Sequence, residues 1–271
     1  MLKTRIVTAA ALLAIFLSAL FLLDPISWSL LLIGLVLIGS AEWARLAGYG
    51  RILRVGYMAS TGLLCGLMLS FLLRGDGGLY SAAGSFIGIV AGTISLAFWL
   101  LLAPIWLMRK WKIHHPVLLA LVGWILLLPT WFALVELRNI SPWLLLGAMG
   151  AVWVADSMAY FTGRRFGKRK LAPAISPGKT WEGVLGALVG ATLYGLALVW
   201  LASQAYGVVA ALWLITLFSI EGDLFESWMK RVAGFKDSGS LLPGHGGVLD
   251  RIDALTSTLP LLTFFLIFYR F

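Results

Sequence analysis

VLLALVGWILLLPTWFALV, residues 117–135, runs nineteen positions without an ionisable side chain. At a helical rise of about 1.5 Å per residue it spans about 28 Å, close to the thickness of a bilayer's hydrocarbon core. Pro116 precedes it, and Arg109, Lys110 and Lys112 mark a basic break from the apolar run before. Working outward, comparable runs lie near 6–23, 26–41, 55–73, 80–107, 140–160, 183–203, 205–220 and 254–269. The expected fold is therefore all-α: a polytopic integral membrane protein with about nine transmembrane helices. The second and eighth runs are short and the fourth is long, so a count of eight stays open.

Composition excludes the soluble alternative. Hydrophobic residues make up 61% of the 271 residues, charged residues 12%, and mean hydropathy is +0.95. A soluble domain carries about a quarter charged residues. This chain, outside a membrane, would expose large apolar patches. Lys3 and Arg5 before the first run resemble the start of a signal peptide. The run lacks a clear small-residue cleavage site and many more follow, so it is expected to be a retained span. Cys65, the single cysteine, rules out an intrachain disulfide framework or a cysteine-based metal site.

Nine spans place alternate connections on opposite sides of the membrane. Of the 21 lysines and arginines, only Arg74, Arg138 and Arg270 then fall on one side. The other eighteen share the N-terminal side, a strong positive-inside bias. The N-terminus is thus expected inside and the C-terminus outside. The acids divide nine inside and three outside (Asp24, Asp76, Glu136), so the formal +9 charge lies on the inner face. Such a surface suits anionic headgroups and anionic solutes, and nucleic acid is not an expected partner. So compact a chain is expected in a bacterial inner (cytoplasmic) membrane.

Residues 1–135 read as an N-terminal transmembrane region with little that looks chemical. Residues 136–271 read as a catalytic transmembrane region with two cytoplasmic polar connections, 156–182 and 221–253. In the first, Asp156 sits at the inner edge of a span, where a charge must be paired or wet. Ser176-Pro177-Gly178-Lys179-Thr180-Trp181-Glu182 then precedes another span. Ser176, Thr180 and nearby amides can hold phosphate oxygens, with Lys179 as a point charge. Glu182 is either a site residue or a helix-capping carboxylate. The glycine pattern of a P-loop is missing.

The second connection reads EGDLFESWMKRVAGFKDSGSLLPGHGGVLDRID and holds half of the chain's twelve acids. Asp223, Glu226 and Lys230 are spaced to share one helix face, as are Asp250 and Asp253. Bringing these helices together gathers Asp223, Asp250 and Asp253. Like charges so close need neutralising, and Mg2+ is the expected ion, completed by water and substrate phosphate. Few histidines and no nearby thiolate make zinc a poor fit. His245, among glycines, either donates to a phosphate or leaving group or is a structural turn residue. His114 and His115 read as interfacial. A hard-metal site beside Lys179, Lys230, Arg231, Lys236 and Arg251 suits phosphoryl or nucleotidyl transfer. The membrane setting points to a lipid acceptor and a soluble nucleotide donor.

Lys230-Arg231, Lys236-Asp237-Ser238-Gly239, Pro243-Gly244-His245-Gly246-Gly247 and Asp250-Arg251-Ile252-Asp253 closely resemble the phosphatidate cytidylyltransferase (CDP-diacylglycerol synthase) family. Asp156, Ala159-Tyr160-Phe161, Gly163-Arg164 and Ser176 through Gly183 resemble its upstream block. Two positions depart: Gly178 stands where the family commonly has lysine, and Glu221 where it is usually apolar. The resemblance implies that CTP and phosphatidic acid give CDP-diacylglycerol and pyrophosphate. It implies Asp223, Asp250 and Asp253 at a Mg2+ site, with a second cation such as K+. Lys179, Lys230, Lys236 and Arg251 would hold phosphates, with Asp156, Ser176, Thr180 and His245 as further site residues. It further implies an all-helical fold, a membrane-facing cavity and a homodimer. Another membrane lipid-phosphate transferase or phosphatase would share the metal site without needing CTP. A transporter would be expected to show broken helices in matching halves, and the polar blocks here both lie in the second half.

Overall fold

The computed structural model describes residues 2–74, 82–241 and 246–269. Helical runs occupy all nine expected positions: α1 (Leu2–Leu22), α2 (Pro25–Leu46), α3 (Arg51–Arg74), α4 and α5 together, α6 (Pro116–Ile140), α7 (Pro142–Phe166), α8 (Trp181–Leu201), α9 (Gly207–Val232) and α10 (Leu249–Tyr269). Eight runs are long and apolar enough to cross a membrane among the described residues, while in α1 the apolar stretch Ala10–Leu22 is shorter. The protein is a multi-pass, all-helical membrane protein.

The fourth run is interrupted rather than uniform. α4 (Ala82–Ala97) passes through a π-helical turn, Phe98–Leu102, into α5 (Ala103–Arg109). The turn sets Trp99 into the interior, where its indole N–H donates to Thr256 O of α10 at 3.1 Å. Phe98, Trp99 and Trp106 pack edge-on around Phe225 of α9. The irregular turn thus holds the helices that carry the two parts of the second polar connection.

α6 is the most buried span. Three tryptophans fasten it to α2: Trp28 donates to Leu134 O at 3.2 Å, Trp43 to Leu119 O at 2.8 Å, and Trp131 back to Ser29 O at 3.3 Å. Each joins a large apolar ring to a polar edge that must be satisfied once buried. Helix starts carry local caps. Asp24 Oδ1 accepts from the amides of Ile26 and Ser27, and His115 Nδ1 accepts from Leu118 N at 3.4 Å, with proline following in both cases. His115 is therefore a helix cap.

Close approach between spans depends on small residues. On α8, a Cβ at Gly186 would strike the Thr162 side chain of α7, and one at Gly190 would lie 2.7 Å from Met158 Cγ. On α9, a Cβ at Gly222 would lie 2.6 Å from both Asp253 O and Ser257 Oγ of α10. The Ser257 hydroxyl donates to Phe218 O at 2.7 Å across the same seam. Without a hydrophobic drive between helices in lipid, such packing and interhelical hydrogen bonds hold spans together.

The polar connections are shorter than the apolar pattern suggested. α7 continues to Phe166 and α9 to Val232, while α10 begins at Leu249. Backbone hydrogen bonding does not stop where hydrophobicity stops, so Asp156, Asp223, Glu226, Lys230, Asp250 and Asp253 all stand on helices. Between α7 and α8 lies one small antiparallel hairpin, β1 (Lys170–Ala172) and β2 (Ser176–Thr180).

Candidate active site

The described residues singled out in the two polar connections converge at one end of the bundle, on the C-terminal parts of α7 and α9, the first turns of α10 and the hairpin. Lys179 on β2 reaches α9, with Nζ 2.7 Å from Asp223 Oδ2 and 3.4 Å from Ile220 O. Asp223 Oδ1 also accepts from Ser227 Oγ at 3.2 Å, one helical turn on. Asp156 of α7 feels the charges of both Lys179 and Asp223. One lysine therefore joins the two polar connections.

The second lysine sits deeper. Lys230 Nζ is 2.6 Å from Asp250 Oδ1 and 3.5 Å from Glu226 Oε1. The spacing of α9 places Glu226 and Lys230 one turn apart on the same face, as the sequence predicts. Asp250 enters from the first turn of α10. Its Oδ2 accepts from Ser238 N at 2.9 Å, Ser238 Oγ at 2.9 Å and Gly247 N at 2.8 Å. Asp253 Oδ1 accepts from Ala254 N at 2.8 Å, and its carboxylate faces the charges of Asp223 and Glu226.

The three aspartates thus share a neighbourhood but have different partners. Asp250 is drawn to Lys230 and to loop donors, and Asp223 to Lys179. Among the described residues no group of three or more carboxylates, histidines or thiols is gathered closely enough to hold a metal ion unaided. The charge nevertheless suits a cation. Asp156, Asp223, Glu226, Asp250 and Asp253 outnumber Lys179 and Lys230 by three formal charges. Both carboxylate oxygens of Glu226 are buried without a hydrogen-bond donor. Lys230 is its ion-pair partner but is shared with Asp250, so the buried carboxylates still lack a full counterion. Magnesium fits, because it takes one or two carboxylates and fills its remaining positions with water and phosphate oxygen.

Other predicted residues take more local roles. The Thr180 hydroxyl is buried and caps α8, accepting from Gly183 N at 3.1 Å. Glu182 accepts from the amides of Lys168 at 3.1 Å and Arg169 at 3.2 Å, bracing the basic segment before the hairpin. Its carboxylate satisfies backbone donors ahead of the hairpin, while the cap of α8 is Thr180. Arg231 Nε donates to Ile175 O at 3.4 Å, tying α9 to the hairpin. Ser176 is half-buried on β2, while Lys236 and Arg251 are exposed. His245 lies outside the described residues.

Sequence reasoning missed Glu226 as a site residue, although its spacing from Lys230 was visible. It also missed Glu42 of α2, which accepts hydrogen bonds from Ser238 Oγ, Val248 N and Leu249 N. The available signal was a lone carboxylate near the C-terminal end of an otherwise apolar run.

Comparison with known proteins covers the whole of this arrangement. The sequence model of the Cytidylyltransferase family matches residues 3–269. The phosphatidate cytidylyltransferase of Pseudomonas aeruginosa is 40% identical over 96% of this chain and 95% of its own. That of Haemophilus influenzae is 35% identical over 99% of each. That of Brucella abortus is 50% identical over a shorter stretch, 42% of this chain.

Proposed function

Because the chain belongs to the cytidylyltransferase family, we propose that it is the enzyme that converts CTP and phosphatidic acid to CDP-diacylglycerol and pyrophosphate. The observation that supports this most directly is the pair of lysines, Lys179 and Lys230, each held by an aspartate at one end of the bundle. They stand beside a surplus of carboxylates, within a chain that matches such enzymes from end to end.

In this reading an ionised oxygen of the lipid phosphate attacks the α-phosphorus of CTP. The new P–O bond forms as the bond from the α-phosphorus to the β-bridging oxygen breaks, and pyrophosphate leaves with those electrons. The nucleophile is already charged, so no protein base is required. The work left to the protein is positioning and charge stabilisation. An ammonium group has three donors. Lys179 uses two on Asp223 and Ile220 O, and Lys230 uses one on Asp250 while forming a longer ion pair, 3.5 Å, with Glu226. Each keeps at least one N–H for a phosphate oxygen. Lys236 and Arg251, exposed at the same end, supply further positive charge to the triphosphate. His245 is assigned to the same anion-binding group.

Magnesium, when bound, offsets charge on the triphosphate and the departing pyrophosphate. Asp223 and Asp253 would hold it, with Glu226 beside them, while Asp250 orients Lys230 and the loop. A second cation such as K+ would offset the remaining negative charge. The positive-inside bias supports an active site facing the cytoplasm of a bacterial inner membrane. A homodimer belongs to the same proposal.

Detergent-purified protein supplied with CTP, phosphatidic acid and magnesium should form CDP-diacylglycerol and equimolar pyrophosphate. Asp250→Asn or omission of metal should abolish both. A folded wild-type preparation that makes neither product would refute the proposal, and lipid-phosphate hydrolysis would then be measured.

A further inference from the structure

We propose that Glu42, distant from the signature residues in sequence, is a positioning residue for this transfer, a role that rests on the reaction proposed above. Its side chain is buried near the C-terminal end of α2. Glu42 Oε1 accepts from Val248 N at 3.0 Å, and Oε2 from Leu249 N at 2.8 Å and Ser238 Oγ at 3.0 Å. The first amides of a helix lack intrahelical acceptors. A side chain of the same segment usually caps them. Here the cap for α10 comes from a different span.

The same carboxylate accounts for two glycines of the loop, Gly239 and Gly247. A Cβ at Gly239 or Gly247 would collide with the Glu42 carboxylate, and one at Gly246 would lie 2.6 Å from Asp250 Oδ2. Gly246 also has φ +79°, in the left-handed region that favours glycine. The glycine pattern thus fits a loop pressed between two carboxylates. Ser238 Oγ joins them, 3.0 Å from Glu42 Oε2 and 2.9 Å from Asp250 Oδ2. One hydroxyl proton serves one acceptor at a time. Movement at Glu42 is therefore felt at Asp250, and from there at Lys230. One turn along α2, the Arg45 guanidinium lies 4.2 Å from the centre of the Phe235 ring and holds the start of the loop. α2 grips the signature loop at both ends.

A brace that served stability alone would leave the kinetics of folded enzyme unchanged. Glu42→Gln keeps the size but turns an amide nitrogen, a donor, toward donors. In the detergent-purified full chain, hydrogen exchange at Val248 and Leu249 amides should speed by about tenfold, the loss of one net hydrogen bond. KM for CTP should rise and kcat/KM fall by about tenfold or more, while Tm drops only a few degrees. Glu42→Asp, which keeps charge and both acceptors, should recover part of the loss. Unchanged exchange would refute the anchoring, and a lowered Tm with wild-type CTP kinetics would leave Glu42 a structural brace only. If Glu42→Gln does not fold, Ser238→Ala must show the same KM shift in smaller degree, or the proposal fails. A wild-type protein that forms no product would sink the reaction, while amide exchange would still judge the anchoring.

Discussion

Lys179 Nζ lies 2.7 Å from Asp223 Oδ2, joining the hairpin that follows α7 to the C-terminal half of α9. The contact brings together two polar segments that are separated in sequence by all of α8. It also presets the lysine, since an ammonium held by a carboxylate loses less freedom when a phosphate arrives. Lys179→Met and Asp223→Asn should each lower turnover by about a hundredfold, a loss typical of removing one preorganised charge contact. The double variant should lose little more than either single variant, because residues acting as one unit are not additive. Fully additive losses in a CDP-diacylglycerol assay would show that the two act separately.

Lys230 has a different vulnerability. Its amine is the charge partner of both Asp250 and Glu226, and the three side chains are largely buried. Removing one member of a buried ion pair costs about 3–5 kcal/mol. Lys230→Met should therefore lower Tm in detergent markedly, as well as abolish activity. Lys179→Met should lower Tm much less, since its pair is more exposed. Equal losses of Tm would contradict the burial difference.

Gly222 and Gly178 make a contrasting pair. A Cβ at Gly222 would press on Asp253 O and Ser257 Oγ, whereas nothing lies within 4 Å of one at Gly178. Gly222→Ala should cost about 1–3 kcal/mol, the usual range for overpacking. Gly178→Lys adds a cation beside Lys179 where there is room for it. Its Tm should match wild type and its KM for CTP should fall several-fold. An unchanged KM would mean that position 178 does not face the nucleotide.

Direct displacement by the lipid phosphate inverts configuration at the α-phosphorus. CTP made chiral there with sulfur should give an inverted product. Retention would require two displacements and a covalent intermediate on the protein. Chelation with EDTA should stop the reaction without unfolding the helices, and added magnesium should restore it. Activity that survives exhaustive chelation would remove magnesium from the proposal.

Much of this protein is legible without coordinates. Apolar runs such as 117–135 define spans because a bilayer admits helices of a set length, and the basic residues orient them. Asp223, Glu226 and Lys230 share a face because a helix repeats every 3.6 residues. The ordered string from Lys230 to Asp253 is dense enough in chemistry to carry the family by itself. These are local properties, set by bond geometry and by the solvent each segment meets.

Partner choice is not local, and only the tertiary structure decided it. Spacing can place Asp250 near a cluster, yet it cannot show that Lys230 and Ser238 occupy both its oxygens. Nor can it show that Thr180 is consumed as a cap, or that Glu226 is buried without a donor. Least visible was Glu42, whose bonds to Val248 and Leu249 cross more than two hundred residues. Hydrogen bonds and ion pairs act over a few ångströms, so which carboxylate meets which donor depends on how the spans pack, and that is a property of the whole bundle.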